Sequence, residues 1–222
     1  MQGKIQQIIP KNYDLIKATS YLTRVDADWA WLINTVGPCT FVLRPEREPY
    51  EALIRAVAYQ QLNAKAGDAI LGKFIKLFSE IDTGQASATQ FPSPEQVMAA
   101  KFNDLRACGF SGRKIETLKN IAEGTLSGLV PSRSDAEAMT DEDLIQRLVA
   151  LKGIGRWTVE MLLIFTLGRP DILPGDDFGI AEGYKRLKKL DIAPKRKEIT
   201  EIGKAWSPYR TVASWYLWRV PK

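Results

Sequence analysis

The sequence predicts an all-α protein, and three observations carry that expectation. Apolar residues recur at three- and four-residue spacing over most of the 222-residue chain, the pattern of helices with one buried face. Serine, threonine, proline and glycine interrupt those runs where helix caps and stops belong. Period-two alternation is nearly absent, and residues 40–45 (TFVLRP) are the one candidate short strand.

Taken in order, YEALIRAVAYQQ puts Leu53, Ile54, Val57 and Ala58 on one helical face, and Ala66, Ile70, Phe74, Ile75 and Phe78 continue on a second. Residues 79–96 turn polar and rich in Ser, Thr, Gly and Pro, which predicts a loop. That loop ends at Ser93, an N-cap followed by Pro94 at the first helical position. A short helix follows through 104–108, stopped by Gly109, and another opens at Ser111. Thr140 is a cap followed by Asp141, Glu142 and Asp143, acids that a helix N-terminus favours. Leu144, Ile145, Leu148 and Val149 carry that helix to a pair of glycines. Trp157 to Leu167 reads as the next helix, stopped by Gly168 with Pro170 behind it. The C-terminal TVASWYLWRV predicts an aromatic helix packed into the body.

Composition narrows the chemistry. At 45% hydrophobic and 26% charged, the chain has the make-up of a globular protein. No apolar run reaches the roughly 18 residues of a membrane span, and the polar N-terminus is unlike a secretory signal. The expectation is a cytoplasmic, nucleoid-associated protein, or a nuclear one in a eukaryote. Two cysteines and no histidine leave too few ligands for a four-cysteine iron–sulfur cluster or the usual zinc site. Histidine catalysis is excluded, so proton chemistry falls to carboxylates, lysines or tyrosines. The net charge is +5, and residues 185–197 hold seven Lys or Arg against the single acid Asp191. Such a run is a solvated face or, beside a phosphate-binding element, part of a nucleic-acid surface; Lys101, Arg113 and Lys114 are weaker additions.

The two glycines lie in LKGIGRWTVEM, residues 151–161. Glycine allows positive φ and close backbone approach. Amides at Gly153, Gly155 and their neighbours would then face outward at a helix N-terminus, which suits a phosphate. Lys152 and Arg156 add formal charge. A backbone grip of this kind positions DNA without reading bases. A sharp helix–helix turn with no ligand is the alternative.

Leu151, Gly153, Ile154, Gly155 and Thr158 match the helix-hairpin-helix pattern, and LPGDDFGI at 173–180 sets two aspartates about twenty residues beyond it. Together these resemble the helix-hairpin-helix (HhH-GPD) DNA glycosylase superfamily, most of all its 3-methyladenine DNA glycosylase II, alkylation-repair branch. The resemblance covers residues from about 45 to the C-terminus. It implies two helical lobes with a DNA cleft between them, one lobe drawn from both chain ends and the other from the middle, so that the whole of 1–222 acts as one catalytic unit. Residues 1–45 would be an N-terminal segment too short for the β-rich domain of some relatives.

The implied activity is base flipping followed by hydrolysis of the N-glycosidic bond of alkylated purines. The motif places the catalytic carboxylate at Asp177, directly before Phe178. Asp176 is the alternative, because Gly175 is an insertion in the pattern, and helix capping is the structural role open to both. Where bifunctional members carry a Schiff-base lysine, this chain has Trp157, so the resemblance implies a monofunctional enzyme with water as nucleophile. Trp157, Trp218 and Phe178 are the implied base-pocket aromatics, suited to cationic bases, although six tryptophans could as well be core. Met161 replaces the second pocket aromatic. The DNA-binding set is Lys152, Gly153, Ile154, Gly155, Arg156 and Thr158. Leu62, with Gln61 beside it, matches the wedge that fills the gap left by the flipped nucleotide; Asn63 would touch the minor groove, and a core role is the alternative for Leu62. No cofactor is required, beyond a monovalent cation that hairpin carbonyls could hold. The implied partner is double-stranded DNA with alkylated bases, bound by a monomer without membrane contact. The rivals are a glycosylase for deaminated or oxidised bases and a non-catalytic hairpin protein that binds DNA.

Overall fold

A computed structural model describes residues 14–62, 64–79 and 91–222 of the chain. Asn63 and most of the expected 79–96 loop lie outside the described residues. Thirteen α-helices and one 3-10 turn are described, with no strand among the described residues. The candidate strand at 40–45 is an extended connection instead. Arg44 N–H donates to Phe165 O at 2.9 Å and Phe41 stacks on Phe165, so this segment has a packing partner but no strand to pair with.

The chain divides into two compact units, one from Met1–Pro45 and Leu163–Lys222, the other from Glu46–Leu162. Helices α1 (Leu15–Thr23) and α2 (Ala27–Val36) share a unit with the C-terminal helices.

The middle unit runs α3 (Pro49–Tyr59), α4 (Ala64–Ser79), α5 (Pro94–Ala99), α6 (Phe102–Ala107), α7 (Gly112–Leu126), α8 (Arg133–Ala138), α9 (Asp141–Leu148) and the start of α10 (Arg156–Phe165). Its caps follow the sequence logic: Ser93 and Gln96 complete a capping box, and the Ser111 and Thr140 side chains accept from Lys114 N and Asp143 N. Leu53, Ile54, Val57 and Ala58 are all buried. On α4 the buried stripe is Leu71, Phe74 and Phe78, with Ile70 and Ile75 half-buried at its margins. Phe74 meets Phe78 and Phe110 edge-on at 5.2 and 5.5 Å, which centres the unit's aromatic core.

The other unit adds α11 (Phe178–Leu187), α12 (Arg196–Ile202), a 3-10 turn (Gly203–Trp206) and α13 (Arg210–Leu217). Trp29 of α2 and Trp206 are fully buried edge to face, 5.3 Å apart. Every residue of α13 from Thr211 to Leu217 is buried, the packed aromatic helix that the sequence predicts. Gly183 lets α11 lie directly against it, since a Cβ there would overlap the Leu217 carbonyl.

The start of α13 also grips the segment leading to Asp177. Asp171 Oδ1 accepts from Arg210 Nε at 2.8 Å and Oδ2 from Ser207 Oγ at 2.7 Å, while Thr211 Oγ1 donates to Arg169 O and accepts from Ile172 N. Burial alone would raise the Asp171 pKa; the Arg210 and Ser207 hydrogen bonds outweigh it and bring the value below the ordinary 3.8. A carboxylate lowered on folding stabilises fully above its unfolded value, and that contribution is lost as pH falls through the folded one. The melting temperature of the wild type should therefore drop more steeply below pH 4 than that of Asp171→Asn, which starts lower but lacks this titration; calorimetry across pH 3–6 checks it.

Candidate active site and nucleic-acid interface

Asp177 is the N-cap of α11. Its Oδ1 accepts from Ile180 N at 2.9 Å, as capping requires, and from the indole Nε1 of Trp218 at 2.9 Å. Capping and a functional role are thus not alternatives here, because the cap itself fixes the direction of the carboxylate. Asp176 is exposed and turned to Arg196, with Oδ2 2.9 Å from Nη1. The adjacent acids have separate environments: Asp176 ties the loop to α12, and Asp177 sits half-buried against α13.

Trp218, half-buried at the end of α13, has a second connection besides the expected pocket role. Its N–H is engaged by Asp177 and its ring stacks on Phe165 at 5.9 Å, so the residue orients the carboxylate. Phe178, at the first position of α11, is 80% exposed. Gly179 was not singled out by sequence. A Cβ there would sit 2.9 Å from Trp218 Cδ1 and 3.0 Å from Asp177 Oδ1, so only glycine leaves room for the pair. The FG dipeptide after the aspartates was the available signal.

The hairpin belongs to the middle unit. Gly153 has φ +93°, and a Cβ would overlap the Thr117 hydroxyl of α7. Gly155 differs: its φ is not left-handed, and a Cβ would meet nothing within 4 Å. Its carbonyl starts α10 by accepting from Thr158 N at 3.0 Å. The internal structure therefore needs glycine at 153, while at 155 it leaves open space beside the first-turn amides of a helix, where an anion is favoured. Asn120, also outside the sequence reading, holds the hairpin by donating to Lys152 O at 3.1 Å.

Several side chains of the expected DNA-binding set are engaged elsewhere. Ile154 is buried at 5% exposure and packs the hairpin from within. Thr158 is buried at 2%, its hydroxyl accepting from Gln60 Nε2 at 3.0 Å, so its side chain is structural. Arg156 binds Glu142 through both terminal nitrogens and Glu160 through Nε. Glu160 is 5% exposed, and a buried carboxylate requires such a cation. The Glu142 hydrogen bond, ahead of Glu160, raises the Arg156 pKa further. Lys152 is exposed, and its pairing with Glu116 at 3.8 Å is of the solvent-screened kind that breaks at little cost. Lys114 is drawn inward to the end of α3, with Nζ 3.0 Å from Ala58 O. In the basic run, Lys188 is held by Asp26 and Asp28 at 2.7 Å each. Trp157 and Met161 lie half-buried on α10.

Leu62 is 41% exposed, at a turn where Gln61 has φ +57°. The core alternative for this leucine is thereby overturned: Leu53 and Val57 face inward and Leu62 does not.

A model of the HhH-GPD superfamily of base excision DNA repair proteins matches residues 54–208. The chain is 46% identical over 213 residues to DNA-3-methyladenine glycosylase 1 of Schizosaccharomyces pombe, covering 94% of this chain and 88% of that protein. It is 40% identical over 212 residues to the alkylbase DNA glycosidase-like protein mag2 of the same yeast, covering 96% of each. The solved structure of the S. pombe 3-methyladenine DNA glycosylase Mag1 with abasic DNA superposes with a TM-score of 0.82 at 45% identity, over 91% of this chain and 95% of that one. The chain belongs to the HhH-GPD superfamily.

The two hairpin glycines should separate by experiment. Gly153→Ala should destabilise the fold by about 1–3 kcal/mol, from overpacking and a left-handed φ. Gly155→Ala should melt within about 0.5 kcal/mol of the wild type yet bind duplex DNA more weakly. Thermal melts and anisotropy titrations of a labelled duplex check both.

Proposed function

We propose that this HhH-GPD protein is a monofunctional DNA glycosylase that excises alkylated purines of the 3-methyladenine and 7-methylguanine type from duplex DNA. The observation that carries the reading is the Asp177 carboxylate, oriented by one backbone and one indole N–H donor at the family's motif position. The relatives named 3-methyladenine glycosylase support the substrate class.

The chemistry follows from charge. As the N-glycosidic bond breaks, its electron pair leaves with the base and positive charge grows on the deoxyribose. A fixed anion beside the sugar stabilises that charge more than it stabilises the ground state. Water then adds to the anomeric carbon, and Asp177 can orient it or accept its proton. Trp157 offers no amine at the position after the hairpin, so no Schiff base forms and the strand stays intact. N-alkylation makes the purine cationic and weakens its bond to the sugar, so an aromatic wall at Trp157 with Met161 on the same helix gains about 0.5–2 kcal/mol from cation–π attraction.

DNA would be held through its backbone by the amides around Gly155 with Lys152 beside them, and Leu62 would fill the space vacated by the flipped nucleotide. A monovalent cation would be held by the hairpin carbonyls, among them those of Leu151 and Lys152, each of which accepts one hydrogen bond within the hairpin's surroundings. Such an ion would add positive charge near the phosphate. The protein would act as a monomer on chromosomal DNA.

Single-turnover release of free base from methylated duplex DNA tests the reading. Asp177→Asn should lower the rate by at least about 100-fold with duplex binding retained. Trp218→Phe, which keeps the stack on Phe165 and removes the N–H, should lower it by about 10-fold or more, the worth of a hydrogen bond to a charged group. Full activity in Asp177→Asn would sink the assignment of the carboxylate, and binding without base release by the wild type would sink the enzyme.

A further inference from the structure

The turn that carries Leu62 is more rigidly built than an exposed loop needs to be. The end of α3 leaves carbonyls without intrahelical partners, and the half-buried ammonium of Lys114 on α7 takes two of them, Ala58 O at 3.0 Å and Gln60 O at 2.9 Å. The Gln60 side chain turns the other way and donates to the buried hydroxyl of Thr158, in the first turn of α10. Tyr59 lies over Gly67 of α4, where any Cβ would overlap its ring, and its hydroxyl donates to Asp68. Gln61 takes the left-handed conformation, unfavourable for a side-chain-bearing residue, and Leu62 N–H closes the turn on Tyr59 O at 3.1 Å. After all of this, the side chain at the tip is an apolar one left 41% exposed.

We propose that Lys114, Gln60 and Thr158 form a brace that positions Leu62 for insertion into duplex DNA, and that the brace ties this wedge to the hairpin. None of the three is a catalytic residue; each acts through Leu62. Two of the braced elements also build the hairpin, since α7 supplies Thr117 beneath Gly153 and Asn120 on Lys152 O, and Thr158 lies three residues beyond Gly155. The wedge and the phosphate grip therefore sit on one frame. A wedge helps only where a stacked, paired nucleotide must be replaced, so the brace should matter for an intact duplex and little for a lesion already unpaired. The inference rests on the glycosylase reading with Leu62 as wedge.

The test compares single-turnover base release from one methylated purine in a full duplex and in an unpaired bubble flanked by duplex. Lys114→Met, Thr158→Val and Leu62→Ala should each lower the duplex-to-bubble rate ratio by about 10-fold, the order of loss expected from ångström-scale misplacement. Lys114→Arg, which keeps a donor at that place, should recover most of the ratio. A general loss of stability would lower both rates together and leave the ratio where it was. If Leu62→Ala changes the ratio while Lys114→Met and Thr158→Val do not, the brace is overturned and the wedge stands. If Leu62→Ala leaves the ratio unchanged, wedge and brace fall together. No release from either substrate by the wild type removes the glycosylase reading and the inference with it.

Discussion

The Asp177–Trp218 hydrogen bond is the contact on which the proposed site depends. A carboxylate at a helix N-cap is already held by a backbone N–H; the indole adds a second donor from another helix and fixes the remaining freedom of the side chain. That donor is in place because α11 lies directly against the end of α13, with Gly183 on the Leu217 carbonyl and Gly179 on the Trp218 ring. The other end of α13 is bound to the 169–172 segment through Asp171–Arg210 and Thr211. One buried helix thus grips the chain both before and at Asp177. Preorganisation of this kind is what lets an anion stabilise a developing cation without rearranging as the bond breaks.

In the middle unit the same economy is reached with backbone rather than charge. Residues that look like phosphate ligands in a linear reading are largely consumed inside the unit: Arg156 neutralises the buried Glu160 and clamps Glu142, and Lys114 caps α3. Lys152, Lys101, Arg113, the open space at Gly155 and the leucine on its braced turn do face outward. Recognition through helix-end amides suits an enzyme that must survey any sequence, because such donors read phosphate position and not base identity.

Much of the fold was legible. Caps at Ser93, Ser111 and Thr140, the stop at Gly109 and the apolar face of α3 follow from local rules, and local rules hold where the competing choices are also local. The hairpin and aspartate motifs were legible for a different reason: their chemistry demands particular residues at short spacing. The expected strand at 40–45 was lost because an extended segment becomes a strand only if another strand pairs with it, and Phe165 belongs to a helix. No local pattern shows that α1 and α2 share a unit with the C-terminal helices; only the family resemblance, with one lobe drawn from both chain ends, pointed that way.

The sequence by itself determined the helical class, the hairpin, the aspartate pair and the absence of histidine, since each is a matter of composition or of spacing within a few residues. Only the tertiary structure decided which aspartate is cradled, that Trp218 donates to it, that Arg156 pairs with two carboxylates and Thr158 is buried, and that Leu62 stands exposed. These are contacts between residues far apart in the chain: 41 positions separate Asp177 from Trp218 and 98 separate Gln60 from Thr158. A side chain's role is set by what packing leaves it to bind, and no local pattern carries that information.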